Sequence, residues 1–332
     1  MKIQLYIDTA QTRLSVKDNL FFIQSPAKQI QVSPMRIDSI AITSAVQLNT
    51  AAIKLAARHD IPIYIYDRCG KLAALLRSPD FQKHGLLRRK QLLFMSSLQG
   101  NKWAASQIIQ KSKEQCITLN RWVEKMPSLS ETLHAHIETI KQFAEKTSST
   151  DTTSATFAET VMGYEGNMAK VYFQAVNHII PEQYRFEGRS RQPGKDYFNT
   201  ALNYIYGLTY GHVTRALHAA GLDTFVGALH KTLYKETLVF DFIETFRPIM
   251  DRLLIQMCRD NLWTHTHFTP ITGGFLLNRN GKKLLFAHYG NYLHERIKWK
   301  GHVTTIENHL FHEARRLKQL IEKTEVNVSD FL

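Results

Sequence analysis

The chain has 332 residues, of which 44% are hydrophobic and 21% charged, and 42 Lys and Arg against 29 Asp and Glu give it a net charge of +13. This composition excludes an intrinsically disordered protein and predicts a folded protein that binds a polyanion such as nucleic acid. Cys69, Cys116 and Cys258 lie far apart without CxxC spacing, so neither a disulfide framework nor a zinc ribbon is indicated, and we expect reduced thiols. Because no uncharged run approaches the length of a membrane span, we expect a cytoplasmic protein.

The first 80 or so residues predict a small β-rich domain with one helix. Short segments rich in β-branched and aromatic residues, each bounded by turn residues, predict strands at KIQLYI, RLSV, LFFIQ, QIQV and IDSIAIT. The segment NTAAIKLAARHD predicts a helix capped by Asn49 or Thr50, and the apolar strand IPIYIYD follows it.

From about residue 86 the hydrophobic period becomes that of helices. The Ser- and Thr-rich stretch at 146–156 predicts an exposed loop within this helical region, and the segment at 273–288 predicts a hairpin. The predicted fold class is therefore α+β with two domains. Residues 1–82 form an N-terminal β-rich domain, and residues 83–332 form a larger, all-helical C-terminal domain.

Two carboxylates stand inside the apolar segment LVFDFIETFRP at 238–248. Asp241 and Glu244 are three residues apart, so on a helical turn they project from the same face. A buried carboxylate needs a cation nearby or takes up a proton. That cation is either a metal ion or a side chain such as Arg247, in which case the pair is a structural cap or ion pair. Pro248 predicts the first turn of a following helix.

Glu165 and His230 are the other candidate metal ligands. Glu165 lies in a predicted helix between Gly163 and Gly166, which predicts close approach to the backbone, either by a ligand or by a tightly packed helix. His230 precedes Asp241 by eleven residues. If these side chains converge with the acidic pair, hard oxygen ligands and one imidazole favour Mn²⁺ or Mg²⁺. The sequence alone leaves their convergence open.

A basic loop leads into the next predicted helix, which we expect Asn199 to cap. Arg185, Arg189, Arg191 and Lys195 crowd this Gly- and Pro-containing loop. Guanidinium groups bind phosphate oxygens in pairs, so the loop predicts contacts to a DNA backbone, although a merely solvated loop fits the same pattern.

Taken together, four segments resemble the CRISPR-associated adaptation integrase, the Cas-one family. They are GYEGNMAKVYF, FEGRSRQPGKDYFNTALNYIYGLTYGHVTRALHAAGLD, VGALH and VFDFIETFRP, and they occur in the family's order and approximate spacing. The resemblance implies that Glu165, His230 and Glu244 bind the metal, with Asp241 as a second ligand or an orienting group. We also count Arg247, at the end of the last segment, among the candidate DNA-binding residues together with the basic loop.

The resemblance further implies a metal-dependent DNA endonuclease and integrase that acts as a homodimer with a small dimeric partner, Cas-two. Its N-terminal domain would carry the dimer and partner contacts. A 3′-hydroxyl of captured double-stranded DNA would attack a phosphodiester at the CRISPR leader-repeat, without a covalent enzyme intermediate. Two alternatives stay open, a general metal-dependent nuclease acting on branched DNA in repair and a non-catalytic DNA-binding scaffold.

Overall fold

The computed structural model describes residues 3–67, 72–78 and 85–325. The chain forms two compact units, Met1–Gly85 and Leu86–Leu332. The predicted domain boundary between residues 82 and 83 lies outside the described residues, as does Cys69. None of the described helices is long and apolar enough to cross a membrane.

The first unit contains two four-stranded sheets and one helix. One sheet has the strand order β1-β5-β7-β8 and the other β4-β3-β2-β6. Asn49 caps the helix, because its side chain accepts a hydrogen bond from the backbone N–H of Ala52 at 2.8 Å. The elements are β1 (Ile3–Ile7), β2 (Thr12–Lys17), β3 (Leu20–Gln24), β4 (Gln29–Val32), β5 (Ile37–Ile42), β6 (Val46–Leu48), α1 (Thr50–Arg58), β7 (Ile63–Tyr66) and β8 (Leu72–Leu76).

Sequence analysis missed two of these strands, β6 and β8. β6 has only three residues, too few for an alternating pattern to stand out. β8 has the sequence LAALL, which favours a helix, but it pairs antiparallel with β7 at the edge of its sheet. Tertiary pairing therefore overrides the local preference at β8.

The second unit is mostly helical, which confirms the predicted fold class, but it also contains two two-stranded sheets. Its helices are α2 (Gly85–Met95), α3 (Leu98–Lys125), α4 (Ser130–Ser149), α5 (Phe157–Ile179), α6 (Tyr197–Ala219), α7 (Thr237–Ile243), α8 (Arg247–Arg259), α9 (Arg279–Leu293) and α10 (Ile306–Glu322). Its strands are β9 (Phe268–Ile271), β10 (Gly274–Leu277), β11 (Arg296–Trp299) and β12 (His302–Thr305).

The hairpin predicted at 273–288 is wrong in its second half. β10 pairs with β9, the strand before it, and the chain then enters α9. Asn278 starts this helix, because its side chain accepts hydrogen bonds from the backbone N–H groups of Asn280 and Gly281, each at 3.0 Å. A cap residue, not a hairpin turn, therefore occupies this position.

Helix α6 lies at the centre of the second unit. Ile205, Thr214 and Leu217 lie on different faces of the helix and are all buried, which is typical of a core helix surrounded by others. Gly221, with φ of +81°, follows the end of the helix, as is common for glycine after a helix C-terminus. Cys116 is half-buried and Cys258 is buried, and neither forms a disulfide within the described residues. This core fixes the helices that carry the candidate site.

Candidate metal centre

Two of the predicted ligands converge on a residue that sequence analysis did not select. Glu165 comes from α5 and Glu244 from the end of α7, and both accept hydrogen bonds from the ammonium group of Lys111 on α3. The distance from Lys111 Nζ to Glu244 Oε2 is 2.5 Å. Because one nitrogen contacts both carboxylates, their oxygens surround a single centre of positive charge.

Lys111 is buried, with 6% of its surface exposed. It occupies a core position of α3, since Ile108, Gln115 and Trp122 lie on the same buried side of the helix. The sequence did contain a signal for this residue, a lysine at a core position of a long amphipathic helix. A buried ammonium group needs anionic partners, so such a lysine predicts carboxylates nearby. Burial lowers the pKa of Lys111, but the charges of Glu165 and Glu244 outweigh it and raise the pKa above its ordinary value.

Arg247 provides the second cation next to the acidic residues. Its guanidinium Nε lies 3.0 Å from Glu244 Oε1, as expected for the ion-pair alternative. Burial alone raises the pKa of the Glu244 carboxyl, yet the charges of Arg247 and Lys111 lower it to about 2. Two carboxylates therefore face two cations, and this balance stabilises the buried group.

Asp241 is not among the carboxylates around Lys111. Its buried side chain accepts backbone hydrogen bonds from Ala228 at 2.7 Å and from Leu229 and His230 at 3.0 Å. It also lies 2.6 Å from His230 Nδ1. Since an ionised carboxylate only accepts, Nδ1 donates this hydrogen bond, and the neutral imidazole keeps its free lone pair on Nε2.

Gly227 allows Asp241 to reach this loop. A Cβ atom at position 227 would lie 2.6 Å from Asp241 Oδ2 and 2.8 Å from the carbonyl carbon of Thr237. Neither contact is sterically possible without a shift of α7, so the loop that carries His230 needs glycine here.

The glycines around Glu165 have no such internal role. A Cβ atom at Gly163 or Gly166 would meet nothing within 4 Å among the described residues. The tightly packed helix that could have explained them is therefore not found in the described part of the chain. One side of α5 next to Glu165 is open, and the glycines keep it free of side chains.

The chemistry of these groups fits a hard divalent cation. In the ranges 3–67, 72–78 and 85–325, no three His, Cys, Asp or Glu side chains are arranged as a preformed metal site. Glu165 and Glu244 nevertheless already hold a positive charge between them, that of the Lys111 ammonium. Two carboxylates and one imidazole nitrogen are ligands that suit Mn²⁺ or Mg²⁺.

The basic loop before α6 uses one of its arginines internally. Arg189 donates hydrogen bonds to the side-chain oxygens of Asn199, at 3.0 Å, and Asn203, at 2.6 Å. The predicted cap at Asn199 is wrong, since Asp196 caps α6 by accepting from the backbone N–H of Asn199 at 2.7 Å. The Asn199 side chain instead holds the loop, through Ser190 as well as Arg189.

The other predicted DNA-binding cations divide into two groups. Arg185, Arg191 and Lys195 are exposed on the basic loop. Arg247 is half-buried and is occupied by Glu244 and by the hydroxyl of Tyr210, to which it donates at 2.7 Å. Arg185, Arg191 and Lys195, three of the five predicted cations, can therefore contact a polyanion without breaking an ion pair or hydrogen bond of the candidate site.

A buried tyrosine and aspartate lie next to these cations. Tyr206 on α6 donates a hydrogen bond to Asp251 Oδ1 at 2.6 Å, and the Arg189 and Arg247 guanidinium groups lie over the Tyr206 ring. Burial raises the pKa of the Asp251 carboxyl to about 6, although the hydrogen bond from Tyr206 and nearby cations lower it.

This raised pKa predicts how Asp251→Asn changes with pH. The ordinary Asp value is 3.8, so the folded wild type binds the proton more tightly than the unfolded chain and loses stability as pH rises from about 4 to about 6. Asn cannot ionise, so the variant does not lose this stability. The free energy of unfolding of Asp251→Asn, relative to that of the wild type, should therefore increase by up to about 3 kcal/mol between pH 4 and pH 7.

Urea unfolding followed by tryptophan fluorescence measures this difference in the second unit, because all four tryptophans lie after residue 86. An equal difference between variant and wild type at both pH values would show that Asp251 has no raised pKa in the folded protein.

Family membership follows from comparison with known proteins. The model of the CRISPR associated protein Cas1 family matches residues 5–291, and the chain therefore belongs to this family. It is 30% identical over 245 residues to the CRISPR-associated endonuclease Cas1 2 of Saccharolobus solfataricus, covering 74% of this chain and 71% of that protein. It is 24% identical to the CRISPR-associated endonuclease Cas1 of Thermotoga maritima, covering 86% and 85%.

Solved structures show the same fold. A CAS1 protein from Thermotoga maritima matches with a TM-score of 0.80 at 21% identity, over 98% of both chains. A casposase bound to integration product matches with a TM-score of 0.81 at 22% identity, over 98% of this chain and 92% of the other. The chain in a Cas6-RT-Cas1--Cas2 complex matches with a TM-score of 0.81 at 20% identity, and 35% of that chain is covered. The predicted family resemblance is thus confirmed.

Proposed function

We propose that this protein is a metal-dependent DNA endonuclease and integrase of CRISPR adaptation, which inserts captured DNA at a leader-repeat. One observation carries the proposal: in this chain of the Cas1 family, Glu165 and Glu244 enclose a positive charge. Curated relatives named as endonucleases support nuclease chemistry. A structural neighbour described with its integration product supports strand joining.

Glu165, Glu244 and His230 Nε2 would hold the metal, Mn²⁺ or Mg²⁺. When bound, such a cation polarises a phosphoryl oxygen and stabilises the departing 3′-oxygen. Asp241 keeps the His230 ring in the tautomer that leaves Nε2 free, so it is a positioning residue and not a ligand. This assignment places Glu244, and not Asp241, at the metal.

The remaining cations would position the DNA. Arg247, held by Glu244 and Tyr210, adds positive charge at the reacting phosphate, while the exposed Arg185, Arg191 and Lys195 neutralise the backbone farther away. The nucleophile is the 3′-hydroxyl of the incoming DNA, and the enzyme mainly fixes its geometry. With water as the nucleophile, the same groups would hydrolyse DNA.

We place the homodimer and partner contacts on the first unit. β4 and β8 are edge strands of the two sheets, and β4 is mostly exposed, so these edges can pair with another chain. A Cas6-RT-Cas1--Cas2 complex among the structural neighbours supports a Cas-two partner.

Salt dependence tests the basic loop. With about six phosphate contacts, the slope of log affinity for duplex DNA against log salt should be about −5. Replacing both Arg185 and Arg191 with Ala should make the slope about 2 less negative, because two contacts are lost. Fluorescence anisotropy at several salt concentrations measures it, with exposed Lys146→Ala on α4 as control. An unchanged slope in the double variant would remove the loop from DNA binding.

Strand transfer tests the proposed function as a whole. A labelled duplex with 3′-hydroxyl ends is mixed with a supercoiled plasmid that carries a leader and repeat, with Mn²⁺ or EDTA, and with or without the candidate partner. We expect Mn²⁺-dependent joining at the repeat. Cleavage of branched DNA without preference for the repeat would instead indicate a general repair nuclease. Binding without joining, unaffected by metal, would indicate a scaffold.

A further inference from the structure

A buried threonine connects the turn between α7 and α8 to helix α3 by a hydrogen bond. Thr245, the residue after Glu244, has 1% of its surface exposed, and its hydroxyl donates to the side-chain oxygen of Gln107 at 2.9 Å. The backbone carbonyl oxygen of Gln107 lies 3.4 Å from the same hydroxyl. A buried hydroxyl needs such a partner, so this contact fixes the position of the turn relative to α3.

The Gln107 side chain is itself held in place. Its amide nitrogen donates to the hydroxyl of Ser106 at 3.2 Å and to the backbone carbonyl of Trp103 at 3.5 Å. These bonds use the amide nitrogen, so the side-chain oxygen is available as the acceptor for Thr245. Because Trp103 and Ser106 also belong to α3, the buried Gln107 side chain is fixed on its own helix and presents its oxygen to the turn.

This hydrogen bond lies next to the candidate metal centre. Gln107 and Lys111 are four residues apart on α3, so they lie on the same side of the helix. Their partners in the turn, Thr245 and Glu244, are consecutive residues. The turn is therefore connected to α3 at two neighbouring points, once by an ion pair and once by a hydrogen bond between uncharged groups.

The two connections differ in their response to a bound cation. In the proposed function, a divalent cation between the two glutamates takes the place of the Lys111 ammonium, so the ion pair between Glu244 and Lys111 is lost. The hydrogen bond between Thr245 and Gln107 contains no charged group and no proposed metal ligand, so the cation would leave it intact. It would then keep the turn, and with it Glu244, against α3.

Packing alone does not require a hydroxyl at position 245. Phe242 and Phe246, which precede and follow Thr245 in the chain, are buried, and their rings stack with centroids 5.7 Å apart. Valine has nearly the same shape as threonine and would fill the position without needing a hydrogen-bond partner. The Thr245 hydroxyl therefore contributes a directional contact to one side-chain oxygen of α3 in addition to the volume that it fills.

We propose that Thr245 and Gln107 are positioning residues for the metal centre, which hold the Glu244 carboxylate within reach of the cation that Glu165 also binds. This inference rests on the proposed function and adds to it two residues that contact neither the metal nor the DNA. Partners that orient a metal ligand usually contribute about ten- to a hundredfold to metal affinity. Thr245 acts through the backbone of the turn, so we expect the lower end of this range.

Metal binding measured in the absence of DNA tests this inference. Electron paramagnetic resonance of free Mn²⁺ during a titration gives the dissociation constants of wild type, Thr245→Val, Thr245→Ser and Glu165→Ala. Thr245→Val removes the hydroxyl at nearly constant shape, and Thr245→Ser keeps it. Thr147→Val is the matched control, because Thr147 on α4 is equally buried and its hydroxyl donates to the backbone carbonyl of Phe143 at 2.9 Å.

We expect Thr245→Val to bind Mn²⁺ about tenfold more weakly than wild type, and Thr245→Ser and Thr147→Val to stay within about twofold of wild type. Thermal unfolding in EDTA separates this effect from a general loss of stability, because both Val variants lose one buried hydrogen bond and should be destabilised to a similar extent.

Three results would overturn the inference: Thr245→Val binds Mn²⁺ as wild type does, Thr245→Ser is as weak as Thr245→Val, or Thr147→Val is weakened equally. Undiminished binding by Glu165→Ala, or no binding by wild type, would instead show that the proposed metal centre is wrong. The proposed function and this inference would then fail together.

Discussion

Replacing His230 with Ala should lower the rate of Mn²⁺-dependent strand joining by about a thousandfold at saturating DNA. A catalytic cation contributes several kcal/mol to transition-state stabilisation, and about 4 kcal/mol corresponds to three orders of magnitude. Loss of the imidazole removes the only nitrogen ligand that we assign to the metal. Single-turnover rates measure the effect. The affinity for DNA should change little, because we assign the phosphate contacts to other residues.

Two further variants separate the roles of the ligand and of its positioning residue. Asp241→Asn should lower the rate by about ten- to a hundredfold, the usual cost of losing the partner that orients a metal-bound histidine. His134→Ala, at an exposed histidine on α4, serves as the matched control and should be as active as wild type. Undiminished joining by His230→Ala would remove this residue from the reaction centre.

Replacing Lys111 with Met should lower the free energy of unfolding of the second unit by about 3–5 kcal/mol in EDTA. This range is the usual cost of removing one partner from a buried ion pair, because the remaining charge stays uncompensated. Here Glu165 and Glu244 lose the ammonium that both contact. If Mn²⁺ binds as we propose, it would supply a positive charge to the same carboxylates. It should then stabilise the variant much more than the wild type, in which Lys111 would compete with the ion.

Thermal unfolding followed by tryptophan fluorescence, in EDTA and in excess Mn²⁺, measures this coupling. Lys113→Met, two residues along the same helix at an exposed position, is the matched control and should change stability by less than about 0.5 kcal/mol. If Mn²⁺ stabilises Lys111→Met and wild type to the same extent, the ion does not bind at the carboxylates that Lys111 contacts.

The sequence was most informative where local order determines structure. The change of hydrophobic period near residue 86 predicted the two units, and Asn49 predicted the start of α1. The spacing of Asp241 and Glu244 indicated a buried pair that needs a cation, and Arg247 is one of the cations that meets Glu244. These features depend on residues close in sequence, whose geometry a helix or cap fixes.

The arrangement of the site itself was beyond sequence reasoning. Lys111 is 54 residues from Glu165 and 133 from Glu244, and only the packing of α3 against α5 and α7 brings the three together. The sequence also could not show that Asp241 and Glu244 contact different groups, because both lie in the same apolar segment. Asp241 points to the loop at 228–230, while Glu244 begins the turn to α8 and faces α3.

Arg189 shows the same limit on the basic loop. Its neighbours Arg185 and Arg191 are exposed, and nothing in the local sequence distinguishes Arg189 from them. Two asparagines of α6, Asn199 and Asn203, hold it internally. Charge density thus predicted the loop, but not which of its cations remain free for a polyanion.

The central claim is that Glu165, Glu244 and His230 hold one divalent cation, and anomalous diffraction from a crystal soaked in Mn²⁺ tests it most directly. We expect a single strong anomalous peak within about 2.3 Å of an oxygen from each glutamate and of His230 Nε2, with the Lys111 ammonium displaced from between the carboxylates. A peak elsewhere in the molecule, or no peak while Lys111 still contacts both glutamates, would contradict the claim.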